Sequence, residues 1–267
     1  MFKPILLEAH NPGPMTGAGN NTYLLVASNR DTAMVDAGVG EPRHLAALDR
    51  VLADRQARLD RVLVTHGHAD HASGAPVIAS AWPAAAFAKH PWPDVDARYG
   101  VDWQPLADGD VVMVGGDPLT VLHTPGHSPD HLVFWHEPSR TAFTGDLVVD
   151  GSSVMIDWSH GGNLEQYLAA LERLRGLEPR LLLPSHGQAI ADPERVLIAY
   201  LEHRRQRERQ VLAALRAGDA TVQAITESIY DGLEPALTAA ARENVRAHLE
   251  KLKAEGRAVD EHGRWRM

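Results

Sequence analysis

The chain has 267 residues, 44% of them hydrophobic, no cysteine and a formal net charge of −9 at pH 7. Without Cys there is no disulfide framework and no thiolate metal ligand, and no run approaches the ~18 apolar residues of a membrane span. The opening Met1-Phe2-Lys3-Pro4-Ile5-Leu6-Leu7-Glu8 has too short an apolar stretch and too early an acid for a secretory leader, so a cytoplasmic protein is expected, with one large domain or one large and one small.

Asn11-Pro12-Gly13-Pro14-Met15-Thr16 reads as loop, and Asn20 and Asn21 as turn formers ahead of an apolar run from Asn21 to Ala27. Thr32 to Asp36 is a second such run, with Asp36-Ala37-Gly38-Val39-Gly40 as punctuation, and both are expected to be strands. Pro42 to Gln56 is expected to be a helix, because Leu45, Leu48, Val51 and Leu52 recur at helical spacing and give one stripe to pack on a sheet. The apolar run Arg61-Val62-Leu63-Val64 leads into Thr65-His66-Gly67-His68-Ala69-Asp70-His71, three imidazoles and one carboxylate within seven residues. His66 and His68 would be same-face neighbours on extended chain, and Asp70 and His71 would swing round as a helix begins.

Pro76 to Ala88 reads as weakly helical and interrupted by Pro83. The stretch holding Pro91, Trp92, Pro93, Tyr99 and Trp103 reads as a long loop, either a lid or pocket wall or a surface excursion whose aromatics pack on the core. Three later apolar runs also end on metal-ligating residue types. His127 follows Leu119 to Leu122 within His123-Thr124-Pro125-Gly126-His127-Ser128-Pro129-Asp130-His131, Asp146 follows Thr141 to Gly145, and His186 follows Arg180 to Ser185. Four strands would thus deliver polar residues to the same sheet edge, where βα folds place their sites. Asn163 to Leu174 is expected to be an amphipathic helix with Asn163 as its N-cap. From Pro193 helix dominates: Glu194 to Leu215, Thr221 to Tyr230 with a Thr cap, and Pro235 to Glu255, before a small hairpin from Gly256 to Trp265 that turns near Gly263. The motifs end near His186, so residues 1–190 are expected to form the metal-bearing domain and residues 191–267 a mostly helical second one.

Neutral imidazoles and ionised carboxylates are the ligands that borderline dications such as zinc favour, and ligands drawn from one short turn lose little chain entropy on converging. Chance clustering among 15 His is the alternative, and it leaves the ordered downstream partners without a reason.

The set His66, His68, Asp70, His71, His127, Asp146 and His186 resembles the full ligand pattern of the metallo-β-lactamase superfamily, with its H-x-H-x-D-H signature. That resemblance implies an α/β fold, an αββα sandwich, in which His66, His68 and His127 hold one metal, Asp70, His71 and His186 hold a second, and Asp146 bridges them. It implies two zinc ions, with iron or manganese as alternatives, and catalytic roles for Asp70 and Asp146. Asp70 has a further role open to it, taking a water proton and passing it to the leaving group. Asn20-Asn21-Thr22-Tyr23-Leu24, Gly151-Ser152-Ser153-Val154 and Glu202 to Glu208 are similar to a subgroup resembling the mitochondrial β-lactamase-like endoribonuclease, which carries a C-terminal winged-helix domain. The implied activity is that of a binuclear metal-dependent hydrolase using a metal-bridging hydroxide on an ester, thioester, lactone or phosphodiester. His123-Thr124-Pro125-Gly126-His127 is shared with glyoxalase II-like thioester hydrolases. Oxygen-reducing di-iron members usually carry a carboxylate where this chain has His68, which favours zinc-type hydrolysis. The alternatives are a single-stranded RNA endonuclease, a non-haem iron persulfide dioxygenase and a non-catalytic nucleic-acid-binding protein.

Residues 191–267 balance Lys and Arg against Asp and Glu, so the negative charge falls on residues 1–190 and weighs against a nucleic-acid partner. The long C-terminal helix mixes Arg242, Glu243, Arg246, Glu250 and Lys251, a solvated face better suited to packing near a pocket mouth or at a homodimer interface than to reading DNA. The expected partner is a small anionic or carbonyl substrate, with single-stranded RNA second and no membrane. Ser152, Ser153 and His160 follow Asp146 closely enough to meet substrate. His123 and His131 flank His127, to orient it or to pack within strands. His10, His44, His90, His136, His248 and His262 are expected at the surface or in caps.

Overall fold

A computed structural model describes residues 3–151, 153–218 and 221–267. Strand β1 (Ile5–Glu8) pairs antiparallel with β2 (Asn21–Val26), and β2 with β3 (Thr32–Val35). Helix α1 (Pro42–Asp54) then leads to β4 (Arg61–Leu63), which lies parallel to β3. The short helices α2 (Ala69–Ala72) and α3 (Ala75–Ala81) lead to β5 (Ala86–Lys89), and one turn, α4 (Pro93–Asp96), leads to β6 (Trp103–Pro105), extending the parallel side of the sheet. Glu41 starts α1: its carboxylate accepts the N–H groups of Arg43 at 2.6 Å and His44 at 3.2 Å, and Pro42 occupies the first turn, where no donor is lost.

A second sheet is a meander of β7 (Val111–Val114), β8 (Asp117–His123), β9 (Leu132–His136) and β10 (Thr141–Gly145), joined in parallel to β10 by β11 (Leu181–Pro184), which follows helix α5 (Leu164–Gly176). Alternation along the strands makes the two sheets a sandwich. Tyr23, Leu25, Val35 and Leu63 of the first sheet meet Leu119, Val121, Phe134 and Phe143 of the second, with the Tyr23 and Phe143 rings edge to face at 5.5 Å. The intervening residues Leu24, Met34, Val62 and Phe87 point the other way, onto Leu48 and Leu52 of α1 and Ile78 of α3. Each such side chain contributes roughly 1.5–3 kcal/mol on leaving water.

The C-terminal part is helical: α6 (Pro193–Arg216), α7 (Val222–Ile229) and α8 (Thr238–Ala254), then a hairpin of β12 (Val259–Glu261) and β13 (Arg264–Arg266). Thr221 caps α7 by accepting the Ala224 N–H at 3.1 Å. The hairpin turns on His262 and Gly263, both at positive φ, as a two-residue turn between right-twisted strands requires. Val211, Leu215, Ile225, Val245, Leu249 and Trp265 form this part's own core.

The described residues divide into two compact units. Met1–Thr124, Asp130–Ser152 and Leu177–Pro193 make the first; Pro125–Pro129, Ser153–Gly176 and Glu194–Met267 make the second. Among the described residues no helix is long and apolar enough to cross a membrane.

Four expectations change. Helix after Ala75 stops at Ala81, since the residue before Pro83 disfavours helical backbone, and Ala86 to Lys89 is recruited as a strand by its parallel neighbours despite weak β propensity. The expected long loop contains α4 and β6, and Tyr99 and Trp103 pack on the core. The ligand-bearing strands do not share one sheet edge: β4 belongs to the first sheet, β8, β10 and β11 to the second. His44, His136 and His248 are buried, not at the surface.

Neither ring nitrogen of His248 has a hydrogen-bond partner among the described residues. Burial, followed by the charges of Arg204, Lys251, Arg207 and His203, holds its pKa well below the ordinary imidazole value. Burial likewise pushes His44 down to about 4. Both fold as neutral rings, so their contribution is intact above the unfolded value near 6.5 and is lost as pH falls below it, at up to about 1.4 kcal/mol per pH unit each. Urea midpoints measured at pH 7.5 and 5.5 are expected to separate less in His248→Met than in the wild type.

Candidate metal centre

The first unit builds its polar cluster where strands stop. After β3, Asp36 takes left-handed backbone (φ 64°), which a short polar side chain tolerates, and turns its carboxylate inward. Oδ1 accepts the Thr65 N–H at 2.8 Å, and Oδ2 accepts the Ser185 hydroxyl at 2.8 Å and the His71 Nδ1–H at 2.8 Å. One buried carboxylate thus joins the ends of β3, β4 and β11 and holds Nδ1 of His71, leaving Nε2 to face the other donors.

The peptide between His66 and His68 lies beyond β4 and has no strand to pair with. Its N–H donates to Asp130 Oδ2 at 2.7 Å, and its carbonyl accepts the Tyr99 hydroxyl at 2.7 Å. Asp130 is itself buried against Lys89, whose ammonium lies 2.9 Å from Asp130, 2.6 Å from Asp96 and 2.6 Å from the His90 carbonyl. With three oxygen partners the buried ammonium is compensated, and the His66-Gly67-His68 turn is anchored to it. Trp92, from the stretch read as lid or surface, stands 6.4 Å from the His68 ring, so it walls the cluster.

The donor atoms converge. His66 Nε2 and His68 Nδ1 face each other at 2.9 Å, an approach that two ring nitrogens hold only with a proton or a cation between them. Asp70 Oδ2 lies 3.4 Å from His71 Nε2 and 3.3 Å from His186 Nε2, and Asp146 Oδ1 lies 3.6 and 3.4 Å from the same two atoms. One ligand atom from each of His66, His71 and Asp146 lies within 4.8 Å of the others, and the same holds for Asp70, His71 and His186. Burial disfavours charge on Asp70 and Asp146, but His71 and His186 outweigh it and hold both carboxyls below the usual carboxylate range. Burial opposes protonation of the two rings, but the carboxylates hold His71 well above the ordinary value and push His186 up to about 9. The carboxylates thus favour positive charge at the two rings, and a dication among the same donor atoms would supply it in place of the ring protons. The donor set fits divalent metal.

Two residues absent from the expected ligands and orienting groups belong here. Asp36 gave no sign in the sequence beyond its strand-end place. Asn20, read as a turn former, donates from Nδ2 to Asp70 Oδ2 at 3.0 Å, and its own amide is set by Asn11, whose Nδ2 donates to Asn20 Oδ1 at 2.8 Å. His131 receives the Asp146 N–H on Nε2 at 3.0 Å and has Nδ1 2.8 Å from Thr124 Oγ1, so it seats Asp146. His123 instead stacks on His90 at 4.0 Å.

His127 belongs to the second unit, where Nδ1–H donates to the Met155 carbonyl at 2.9 Å and leaves Nε2 as the ring's acceptor nitrogen. Ser153 and His160 also lie in that unit; His160 is 75% exposed, with Nδ1 2.9 Å from Asp157. Ser152 lies outside the described residues.

A two-sheet α/β sandwich that gathers imidazoles and carboxylates at its strand ends defines a metal-binding class of protein. Residues 15–186 match the sequence pattern of the metallo-beta-lactamase superfamily, and residues 221–265 that of the beta-lactamase associated winged helix domain. The chain belongs to the metallo-β-lactamase superfamily, with its α/β sandwich and a C-terminal winged helix. A beta-lactamase-like protein 2 homolog from Drosophila melanogaster is 33% identical over 260 residues, 92% of this chain and 86% of that protein. An atrochrysone carboxyl ACP thioesterase from Aspergillus fumigatus is 31% identical over 211 residues, 77% of this chain and 62% of that protein. Among solved structures, a metallo-beta-lactamase family protein from Thermus thermophilus shares the fold with a TM-score of 0.82 at 24% identity, covering 98% of both chains.

Asp36→Asn keeps an acceptor for Thr65 but places an amide donor or a weaker acceptor against His71. Zinc affinity, measured by chelator competition, is expected to fall about 10- to 100-fold while the circular dichroism spectrum is retained.

Proposed function

We propose that this chain is a cytoplasmic binuclear metallohydrolase acting on a thioester or related activated acyl substrate, with zinc as its metal. The observation that carries the reading is the pair of donor triads that share His71, each within 4.8 Å. In this reading His66, His68 and His127 hold one ion and Asp70, His71 and His186 the other, with Asp146 between them, following the superfamily's ligand pattern. Two dications held there would supply Lewis acidity and make water a nucleophile near neutral pH. The protein's own share is positional. Asp36, Asp130 and His131 hold His71, the Gly67 peptide and Asp146 in place. Asp70, steadied by Asn20, takes the proton of the attacking water and delivers it to the leaving group, a thiolate or alkoxide. Ser152, Ser153 and His160 are assigned to substrate contact.

Thioester chemistry is supported by the thioesterase-named relative and by the charge balance, since an acidic first domain and a neutral second one suit a small acyl compound better than a polyanion. Imidazole and carboxylate donors without any thiolate suit zinc, and they accommodate iron or manganese as well.

Protein purified without added metal is expected to carry about two equivalents of zinc by elemental analysis. In a panel of acyl thioesters, lactones, p-nitrophenyl phosphodiesters and short single-stranded RNA, thioesters are expected to turn over fastest. Asp146→Ala is expected to abolish that turnover while far-ultraviolet circular dichroism stays unchanged. Full activity in metal-free protein overturns the metal reading, and preferential cleavage of RNA overturns the acyl one.

A further inference from the structure

The segment from Ser153 to Asp157 lies outside strand and helix, and Val154 and Ile156 are buried away from water. Buried peptide groups in such a segment need partners, because leaving one unmade costs as much as a lost hydrogen bond. The C-terminal helices supply them. Arg204 on α6 donates from Nη2 to the Val154 carbonyl. Asn244 Oδ1 on α8 accepts the Ile156 N–H at 3.1 Å and the Arg204 Nη1–H at 3.1 Å. Further along, the Glu243 carboxylate accepts the Ser159 N–H at 3.0 Å and its hydroxyl at 2.9 Å. Between the two anchored residues lies Met155, whose carbonyl receives the His127 Nδ1–H at 2.9 Å.

The start of α5 holds His127 a second way. The Gly126 carbonyl accepts the Asn163 N–H at 2.8 Å. Gly126 has φ +136° and lies so close to α5 that a Cβ there would come within 2.3 Å of the Tyr167 nitrogen, so no other residue fits. The Arg204 guanidinium in turn stands over the Tyr167 ring at 5.2 Å. Arg204 therefore touches both the segment in front of His127 and the helix behind it.

We propose that Asn244 and Arg204 are positioning residues for His127, acting through the Met155 peptide, and that the C-terminal winged helix serves as scaffold for this metal ligand. The inference rests on the reading of His127 as a ligand. A carbonyl that takes the Nδ1 proton leaves Nε2 to bind metal and sets the plane of the ring; a carbonyl free to turn would do neither. This role requires no nucleic acid.

The test uses the full chain, titrated with zinc against a chromophoric chelator. Asn244→Ala and Asn244→Leu are each expected to weaken one of the two zinc ions about 10- to 100-fold while leaving the other unchanged. Asn244→Asp offers both donors the same acceptor oxygen and is expected to keep wild-type affinity. Arg205→Ala, at an exposed position of α6 beside Arg204, is expected to leave both ions unaffected. Thermal unfolding of the zinc-free variants checks the fold, and Asn244→Leu preserves the volume if the alanine variant is unstable. Cobalt-substituted protein is expected to show a ligand-field spectrum altered by Asn244→Leu and restored by Asn244→Asp. Equal zinc affinity in Asn244→Leu and the wild type overturns the proposal, as does an Asn244→Asp loss as large as that of Asn244→Leu. A wild-type chain that takes up no zinc overturns the underlying metal reading, a result distinct from both.

Discussion

One buried carboxylate organises the first unit. Asp36 accepts from Thr65, Ser185 and His71, so it joins strand ends from both sheets and aims the imidazole common to two donor triads. Its left-handed backbone is the conformational cost of bringing a β3 residue to that place. The strain is held because every oxygen contact is made in an interior where a lost partner costs far more than at the surface.

The same logic recurs outward from Asp36. Side chains of metal-ligating type stand on loops just beyond strands, where the backbone has lost its ladder, and loops are fixed by side chains from elsewhere. Asp130 and Tyr99 hold the peptide between His66 and His68, and His131 holds the Asp146 amide. The buried Lys89 neutralises Asp130 and makes that arrangement affordable in a low-dielectric interior. Chemistry at a metal centre depends on placement within fractions of an ångström, and here the donor-bearing loops are placed by residues outside the donor set.

This view also gives the helical C-terminal part a place. Its charges are balanced and its long helix carries acids among its bases, so its surface does not resemble a phosphate-tracking face. Its polar contacts are instead directed at the backbone of Val154, Ile156 and Ser159.

The donor cluster was legible because metal chemistry restricts residue types and the signature crowds four of them into one turn. The winged hairpin was legible from its turn residues, and the caps at Asn163 and Thr221 from theirs. β5 was not, because Ala86 to Lys89 has little strand preference of its own and is a strand through its parallel neighbours. Asp36, Asn20, Asp130 and Lys89 were not, because a carboxylate, amide or ammonium acquires its meaning from partners up to 149 residues away. Nor did the sequence separate buried His44, His136 and His248 from surface histidines. The sequence by itself determined the chemistry on offer, since that depends on residue type and local spacing. Only the tertiary structure decided which polar groups are buried together, because desolvation and hydrogen-bond geometry are properties of neighbours brought together in space.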